Sequence, residues 1–173
     1  MFIFFYFEEL GRLSEVDENF AIISFEPDGT IINANKNFLK TLGYKQEEIV
    51  GKHHSMFCDK NYVNSQDYIK FWNDLANGIS QISEFERIKK DGSSVWIQAS
   101  YTPVKNSRGK VTRVVKFAQD IGEYVNSLNV VKAVSKAIEL AKKGIMKQTI
   151  TVSTKNEVIE QLKNDINELF NIV

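Results

Sequence analysis

Two turn-bounded runs with apolar residues on alternate positions constrain this chain more than anything else in it. Residues 96–104 follow the turn Lys89-Lys90-Asp91-Gly92-Ser93, and residues 112–121 follow Asn106-Ser107-Arg108-Gly109-Lys110. Asp-Gly and Arg-Gly supply the positive φ that a tight turn requires, so the runs are predicted to be neighbouring arms of an antiparallel meander. A strand over 79–88 precedes them, with Ile82, Glu84 and Glu86 on one face and Phe85 on the other. Further back, 20–25 and 31–34 flank Glu26-Pro27-Asp28-Gly29-Thr30, where proline presets φ and glycine takes the free position. That hairpin brings the expected strands to five.

Between hairpin and meander the period changes. Phe38, Leu39 and Leu42 share one side of a helix over 35–42, stopped by Gly43. A short turn over 46–50 closes at Gly51, and 52–64 has no clear period. Tyr68, Ile69, Trp72 and Leu75 mark a helix over 65–76, ended by Asn77-Gly78. After Gly122 the pattern is helical again. Tyr124, Leu128, Val131, Val134, Ile138, Ala141 and Ile145 recur at three and four, as in a coiled-coil seam that ends at Lys142-Lys143-Gly144. The β-branched stretch Thr149-Ile150-Thr151-Val152 interrupts, and the capping-box pattern Thr154-Lys155-Asn156-Glu157 opens a second helix. Its stripe is Val158, Leu162, Ile166, Leu169 and Val173, still running where the sequence stops, so a longer protein is expected. The segments are therefore 1–18, an N-terminal cap; 19–122, an α+β domain; and 123–173, a helical linker.

Charge and composition exclude several functions. Among 173 residues, 22 Lys and Arg balance 22 Asp and Glu with no basic stripe, which argues against nucleic acid as a partner. A single cysteine, Cys58, rules out an internal disulfide and fits a reducing compartment. The aromatic run at 1–7 is too short to cross a bilayer, for which ~20 apolar residues are needed, so the expected location is cytoplasmic. The run is expected to pack on a neighbouring element. His53 and His54, the only histidines, are adjacent and lack the further ligands of a structural metal site; the expectation is an exposed His53 and a hydrogen-bonded His54. With no phosphate-cradling loop and no nucleophile elbow, the chain does not read as an enzyme.

Four motifs then converge: Asp28-Gly29-Thr30-Ile31-Ile32-Asn33-Ala34-Asn35; Leu42-Gly43-Tyr44 followed by Glu47-Glu48-Ile49-Val50-Gly51; Lys90-Asp91-Gly92 followed by Val95-Trp96; and the closing Asp120-Ile121. With the element order, they make residues 20–122 resemble a PAS domain, the small sensor module. More narrowly, 51–57 with Phe71-Trp72 and 96–101 is similar to PAS domains of bacterial methyl-accepting chemotaxis proteins, the aerotaxis-receptor type included. Ala141-Lys142-Lys143-Gly144, Asn156-Glu157, Leu162 and Asp165-Ile166-Asn167 resemble the HAMP linkers of such receptors, without the proline usual in the first HAMP helix.

This resemblance implies a PAS fold: a five-stranded antiparallel sheet with short helices on one side, then a coiled-coil or HAMP-like tail. It implies a sensory input module for redox, oxygen or a small ligand, relayed through a homodimeric helical linker to a chemotaxis signalling domain downstream. An empty dimerisation module and the sensor of a histidine kinase or cyclase are the rival readings. Trp72 matches the helix tryptophan of flavin-binding sensors, making FAD the first cofactor expectation, while Asn33, Asn35, Gln98 and Gln119 offer amide groups for a flavin edge. Those sensors carry asparagine where this chain has Arg87, and the aerotaxis receptor's Arg-His pair falls at Cys58-Asp59. Haem comes second, because its iron needs an axial ligand that only His54 or Cys58 would supply; an empty pocket is the third option. Asp120 and Ile121 stand at the exit to the helix, where the aspartate is expected to accept from free helix N–H groups and to couple pocket and tail.

Overall fold

The computed structural model describes residues 20–145 and 147–172; the expected cap at 1–18 and the stripe residue Val173 lie outside them. The chain divides into two compact units at Asp120 and Ile121. Hydrophobic alternation builds the first as five strands: β1 (Ala21–Phe25), β2 (Ile31–Ala34), β3 (Gln81–Ile88), β4 (Ser94–Lys105) and β5 (Val111–Asp120). They pair antiparallel in the order β2-β1-β5-β4-β3. Among the described residues the first strand, β1, pairs with the last, β5, in the middle of the sheet, so the hairpin at the front is tied directly to the strand that leads out.

Four short helices and a 3-10 turn cross the β1–β5 face: α1 (Lys36–Leu42), α2 (Gln46–Ile49), the turn His54–Phe57, α3 (Lys60–Val63) and α4 (Gln66–Ala76). Local chemistry sets their ends. Asn35 Oδ1 accepts from Phe38 N and from Ile22 N, so one side chain caps α1 and joins it to β1. Gly43, at φ 76°, ends α1 in the left-handed region that a Cβ disfavours. Ser65 caps α4, which buries Tyr68, Phe71, Trp72 and Leu75. Ile69, expected on that stripe, is half exposed and Phe71 takes its place. The reason is the 3.6-residue period: Tyr68, Phe71, Trp72 and Leu75 fall within one arc, and Ile69 sits 100° away from Tyr68.

One core fills the space between sheet and helices. Ile23, Phe25, Ile31, Phe38, Ile49, Leu75, Ile97 and Tyr101 are essentially without solvent contact. Burying each such side chain contributes about 1.5–3 kcal/mol, and the core is what holds the short helices, which are too short to persist alone.

In the second unit, α5 (Gly122–Lys142) and α6 (Glu157–Ile172) are joined by an extended connector. Lys155 N donates to Glu123 Oε2, Ser127 and Thr154 share a hydroxyl hydrogen bond, and Gln148 Nε2 donates to Ala137 O. The connector thus runs back along α5, and α6 lies beside α5 in the same direction. Ile150 and Asn167 exchange two hydrogen bonds that fix the connector on α6. The small core consists of Val130, Val134, Ala137, Ile150 and Phe170, flanked by Ala133, Ala141, Ile159 and Ile166. The expected seam therefore splits. Val134, Ala141 and Ile166 pack here, whereas Tyr124, Leu128, Val131, Ile138, Val158, Leu162 and Leu169 remain exposed. The start of α6 also differs from the expected capping box: Asn156 Oδ1 accepts from Ile159 N, and Glu160 rather than Glu157 reaches back, to Thr154 N.

Candidate functional site

Strand parity puts an unusual set of side chains inside the first unit. On β5, Val114, Lys116 and Ala118 face the helices; on β4, Ile97, Ala99 and Tyr101 do; on β3, Phe85 and Arg87 do. Lys116 and Tyr101 are register partners. The irregular segment after Gly51 delivers the rest, because it is stitched to the hairpin by Ile31 N to Lys52 O, His54 N to Gly29 O and the bridge Thr30–His53. His53 Nε2 hydrogen-bonds Asp28 O at the half-buried rim, and the next residue, His54, turns inward with no solvent exposure.

At the centre is a polar chain. His54 Nε2 lies 3.0 Å from Tyr101 Oη, and Nδ1 lies 3.0 Å from Tyr68 Oη. Arg87 Nη2 donates to Tyr101 Oη at 3.3 Å, which leaves that hydroxyl to donate to Nε2 and the Nδ1–H to donate to Tyr68. Burial holds the His54 pKa well below the usual imidazole value, with Arg87 and Lys116 adding to the effect, so the ring is neutral. Burial pushes the Tyr101 phenol up to about 12 and the Cys58 thiol upward as well. Cys58 Sγ, 3.7 Å from Nδ1, is a buried and unreactive thiol.

Two basic side chains, Arg87 and Lys116, are buried here, and among the described residues neither forms an ion pair. Lys116 Nζ sits 5.0 Å from the Tyr101 ring centre and 5.6 Å from that of Phe38; burial, then Arg87, lowers its pKa well below the usual amine value. Arg87 stacks 4.5 Å over Phe85, and its Nη1 donates to Glu86 O. Arg87 Nε and Trp72 Nε1 are buried without a hydrogen-bond partner.

The six cofactor candidates do not gather in one place. Trp72 and His54 meet in the core, ring centres 5.3 Å apart. Asn35 is engaged as the α1 cap, with Nδ2 donating to Phe20 O. Asn33 is exposed on the edge strand β2. Gln98 and Gln119 are register partners, exposed on the opposite face of the sheet. The two-residue period decides this: Tyr101 and Lys116 face inward, so Gln98 and Gln119, three residues away on each strand, face outward. Ser100, at the same parity as Gln98, also leaves the interior. At the exit, β5 ends on Asp120, and the α5 cap position falls on Ile121, whose side chain makes no cap hydrogen bond.

The contacts expected for a flavin or a haem are not brought together by these residues. The amides expected at a flavin edge lie on other faces of the sheet or are engaged as a cap. The Trp72 ring is also packed edge-on against Phe25 and Phe71 and tilted against His53. For haem, both His54 nitrogens are already taken by tyrosines. Sequence reasoning missed Tyr68, Tyr101, Arg87 and Lys116. Inward parity, with Lys116 between Val114 and Ala118 and Arg87 beside Phe85, was the available signal.

Comparison with known proteins locates this arrangement. The family model described as PAS domain matches residues 19–123. The biofilm dispersion protein BdlA of Pseudomonas aeruginosa is 40% identical over 114 residues, which are 66% of this chain and 27% of that protein. The chain thus spans about a quarter of the length of that relative. Among solved structures, the PAS domain of a Colwellia psychrerythraea protein superposes with a TM-score of 0.56 at 22% identity, over 65% of this chain and 95% of that one. A light-oxygen-voltage domain studied with a flavin analogue gives 0.51 at 19% identity, over 58% and 76%. These structural likenesses concern the fold.

Proposed function

The chain belongs to the PAS domain family, and from that membership we propose that it is the sensory input of a bacterial chemotaxis- or energy-taxis-type signal transducer. A ligand event in the first unit biases the packing of a dimeric helical tail, which relays it to a signalling domain downstream. The chain relays and does not catalyse, and works in the cytoplasm. The observation that carries this reading is the row of apolar side chains left uncovered on the tail. Tyr124, Leu128, Val131 and Ile138 on α5, with Val158, Leu162 and Leu169 on α6, recur at helical spacing on faces that the tail's own core does not use. A second copy, apposed in parallel, covers them, and no helix among the described residues is long and apolar enough to cross a membrane instead.

The relay needs only a coupling free energy of about 1–3 kcal/mol between two packings of such a bundle. Its input runs from Arg87 through Tyr101 on β4 to Lys116 on β5, the strand that ends at Asp120. The input is a small ligand, and the first unit carries no flavin or haem. Sedimentation velocity of the intact chain tests the relay. A dimer is expected, with Leu128→Glu and Leu162→Glu together converting it to a monomer whose first unit remains folded; a wild-type monomer at high concentration overturns the reading. The visible absorption spectrum of protein purified from its own cells is expected to be featureless, and flavin peaks or a Soret band would overturn the cofactor-free interior.

A further inference from the structure

Arg87 gives this sensor a ligand class. Its side chain is 3% exposed, yet no carboxylate of the described residues pairs with it. A buried guanidinium without an anion is costly, and an unsatisfied buried donor adds to the cost. Two of its five N–H groups are used, on Glu86 O and Tyr101 Oη, while Nε has no partner. The free Nε–H lies on one of the edges with which arginine grips a carboxylate through two parallel hydrogen bonds.

A cavity of about 630 Å³ opens beside it, with Arg87 in its wall along with Tyr62, Phe85 and Trp96. Its other charges are of one sign. Asp59, Glu84 and Glu86 line the same cavity, and all three are exposed, whereas Arg87 is buried. Glu84 and Glu86 alternate with Phe85 and Arg87 along β3 and so project to the other face of the sheet, which leaves Asp59 as the anion on the side where Arg87 lies, with Tyr62 and Phe85 beside it. A simple carboxylate would satisfy Arg87 but meet repulsion at the rim, and a simple amine would leave Arg87 unpaired. A molecule with a carboxylate at one end and an ammonium beside it satisfies both, and the tyrosine and phenylalanine faces accept an ammonium or an apolar side chain.

The geometry points to an α-amino acid zwitterion as the ligand of this cavity, its carboxylate on Arg87 and its ammonium towards Asp59. This rests on the reading of the first unit as a small-ligand sensor and names its ligand class. Binding also supplies a mechanical input: an anion on the guanidinium repositions the group whose Nη2 holds Tyr101, and hence the His54–Tyr68 chain behind it.

The test is calorimetric titration of the intact chain with each standard L-amino acid singly. For any that binds, the matched analogue lacking one charge is titrated as well: 4-methylpentanoate and isoamylamine for L-leucine, 3-phenylpropionate and phenethylamine for L-phenylalanine. At least one amino acid is expected to bind, with both analogues at least about tenfold weaker, the usual cost of losing a charge-assisted hydrogen bond. Arg87→Gln is expected to weaken binding by about tenfold to a hundredfold. Because that change is buried, the exposed variant Asp59→Asn carries the test independently. It should weaken the amino acid and strengthen its carboxylate-only analogue, and asparagine keeps the α3 cap that Asp59 provides. Binding by no amino acid, equal binding by the carboxylate-only analogue, or undiminished binding to a folded Arg87→Gln each overturns the assignment. The dimer measurement needs no ligand, so a failure here leaves the relay standing, and a monomeric tail would leave the binding result intact.

Discussion

Replacing Lys116 by methionine should stabilise the first unit, and the gain should depend on pH in one direction. The amine is 1% exposed, lies between the rings of Tyr101 and Phe38, and has no carboxylate partner among the described residues. Burial lowers its pKa well below that of a free lysine. The unfolded chain protonates this residue up to about pH 10.4, whereas the folded chain releases the proton at lower pH. Between those two values the unfolded state holds the extra proton, so stability rises with pH by up to ~1.36 kcal/mol per unit. Exchanging buried charge for a similar apolar volume usually gains about 1–4 kcal/mol, so ~2 kcal/mol is expected at pH 7. In a domain near 100 residues that raises Tm by roughly 10 °C. Trp72 and Trp96 both lie in the first unit, and their fluorescence in urea unfolding at pH 7 and pH 9 reports it directly. Cys58 and the tyrosines titrate in both proteins, so the wild-type slope minus the variant slope isolates Lys116. The difference between the proteins should shrink as pH rises. If instead the folded ammonium stays charged and gains from the two rings, Lys116→Met loses about 0.5–2 kcal/mol with no change of slope, and the reasoning fails.

Acid should destabilise the same unit through His54. Its pKa is lowered by burial, so below about pH 6.5 the unfolded chain takes up a proton that the folded one refuses. Stability is therefore full above that value and falls by up to ~2 kcal/mol towards pH 5; His54→Gln should flatten this part of a urea-midpoint profile, and an unchanged profile would show that His54 is not the group responsible. Gly29→Ala tests the seat of the indole. At φ 93° a Cβ is strained, and it would sit 2.6 Å from His53 Nε2 and 2.8 Å from Trp72 Cε2, so a loss of about 2–4 kcal/mol with a shifted tryptophan emission is expected. A loss under ~1 kcal/mol would mean that the turn moves freely away from Trp72.

The order of elements was legible because its signals are local. The Asp28-Gly29 turn and the Gly43 stop each act within a few residues and are found where the pattern places them, whereas Asn35 and Ser65, read as the first residues of their helices, are the caps. The site was less legible. Trp72 and His54 are interior, as aromatics and a satisfied histidine should be, but Gln98 and Gln119 were assigned by residue type when strand parity turns them outward. The tail shows the same limit in helical form. The period marks an apolar stripe, but a stripe wide enough to serve both an internal partner and an external one does not say which residue serves which.

By itself, then, the amino-acid sequence determined the strands, the longer helices and the PAS family, since turn chemistry and periodicity are properties of neighbouring residues, but not the 3-10 turn and α3 within 52–64, where no period shows. The tertiary structure alone decided what the interior is made of. Tyr68, Arg87, Tyr101 and Lys116 come from three strands and a helix, separated by as many as 48 positions, and nothing in any one segment requires that they meet. Only when β3, β4 and β5 align in register under α4 do two basic side chains find themselves inside without an anion. That imbalance is a sum over the whole fold, which is why local pattern could not reveal it.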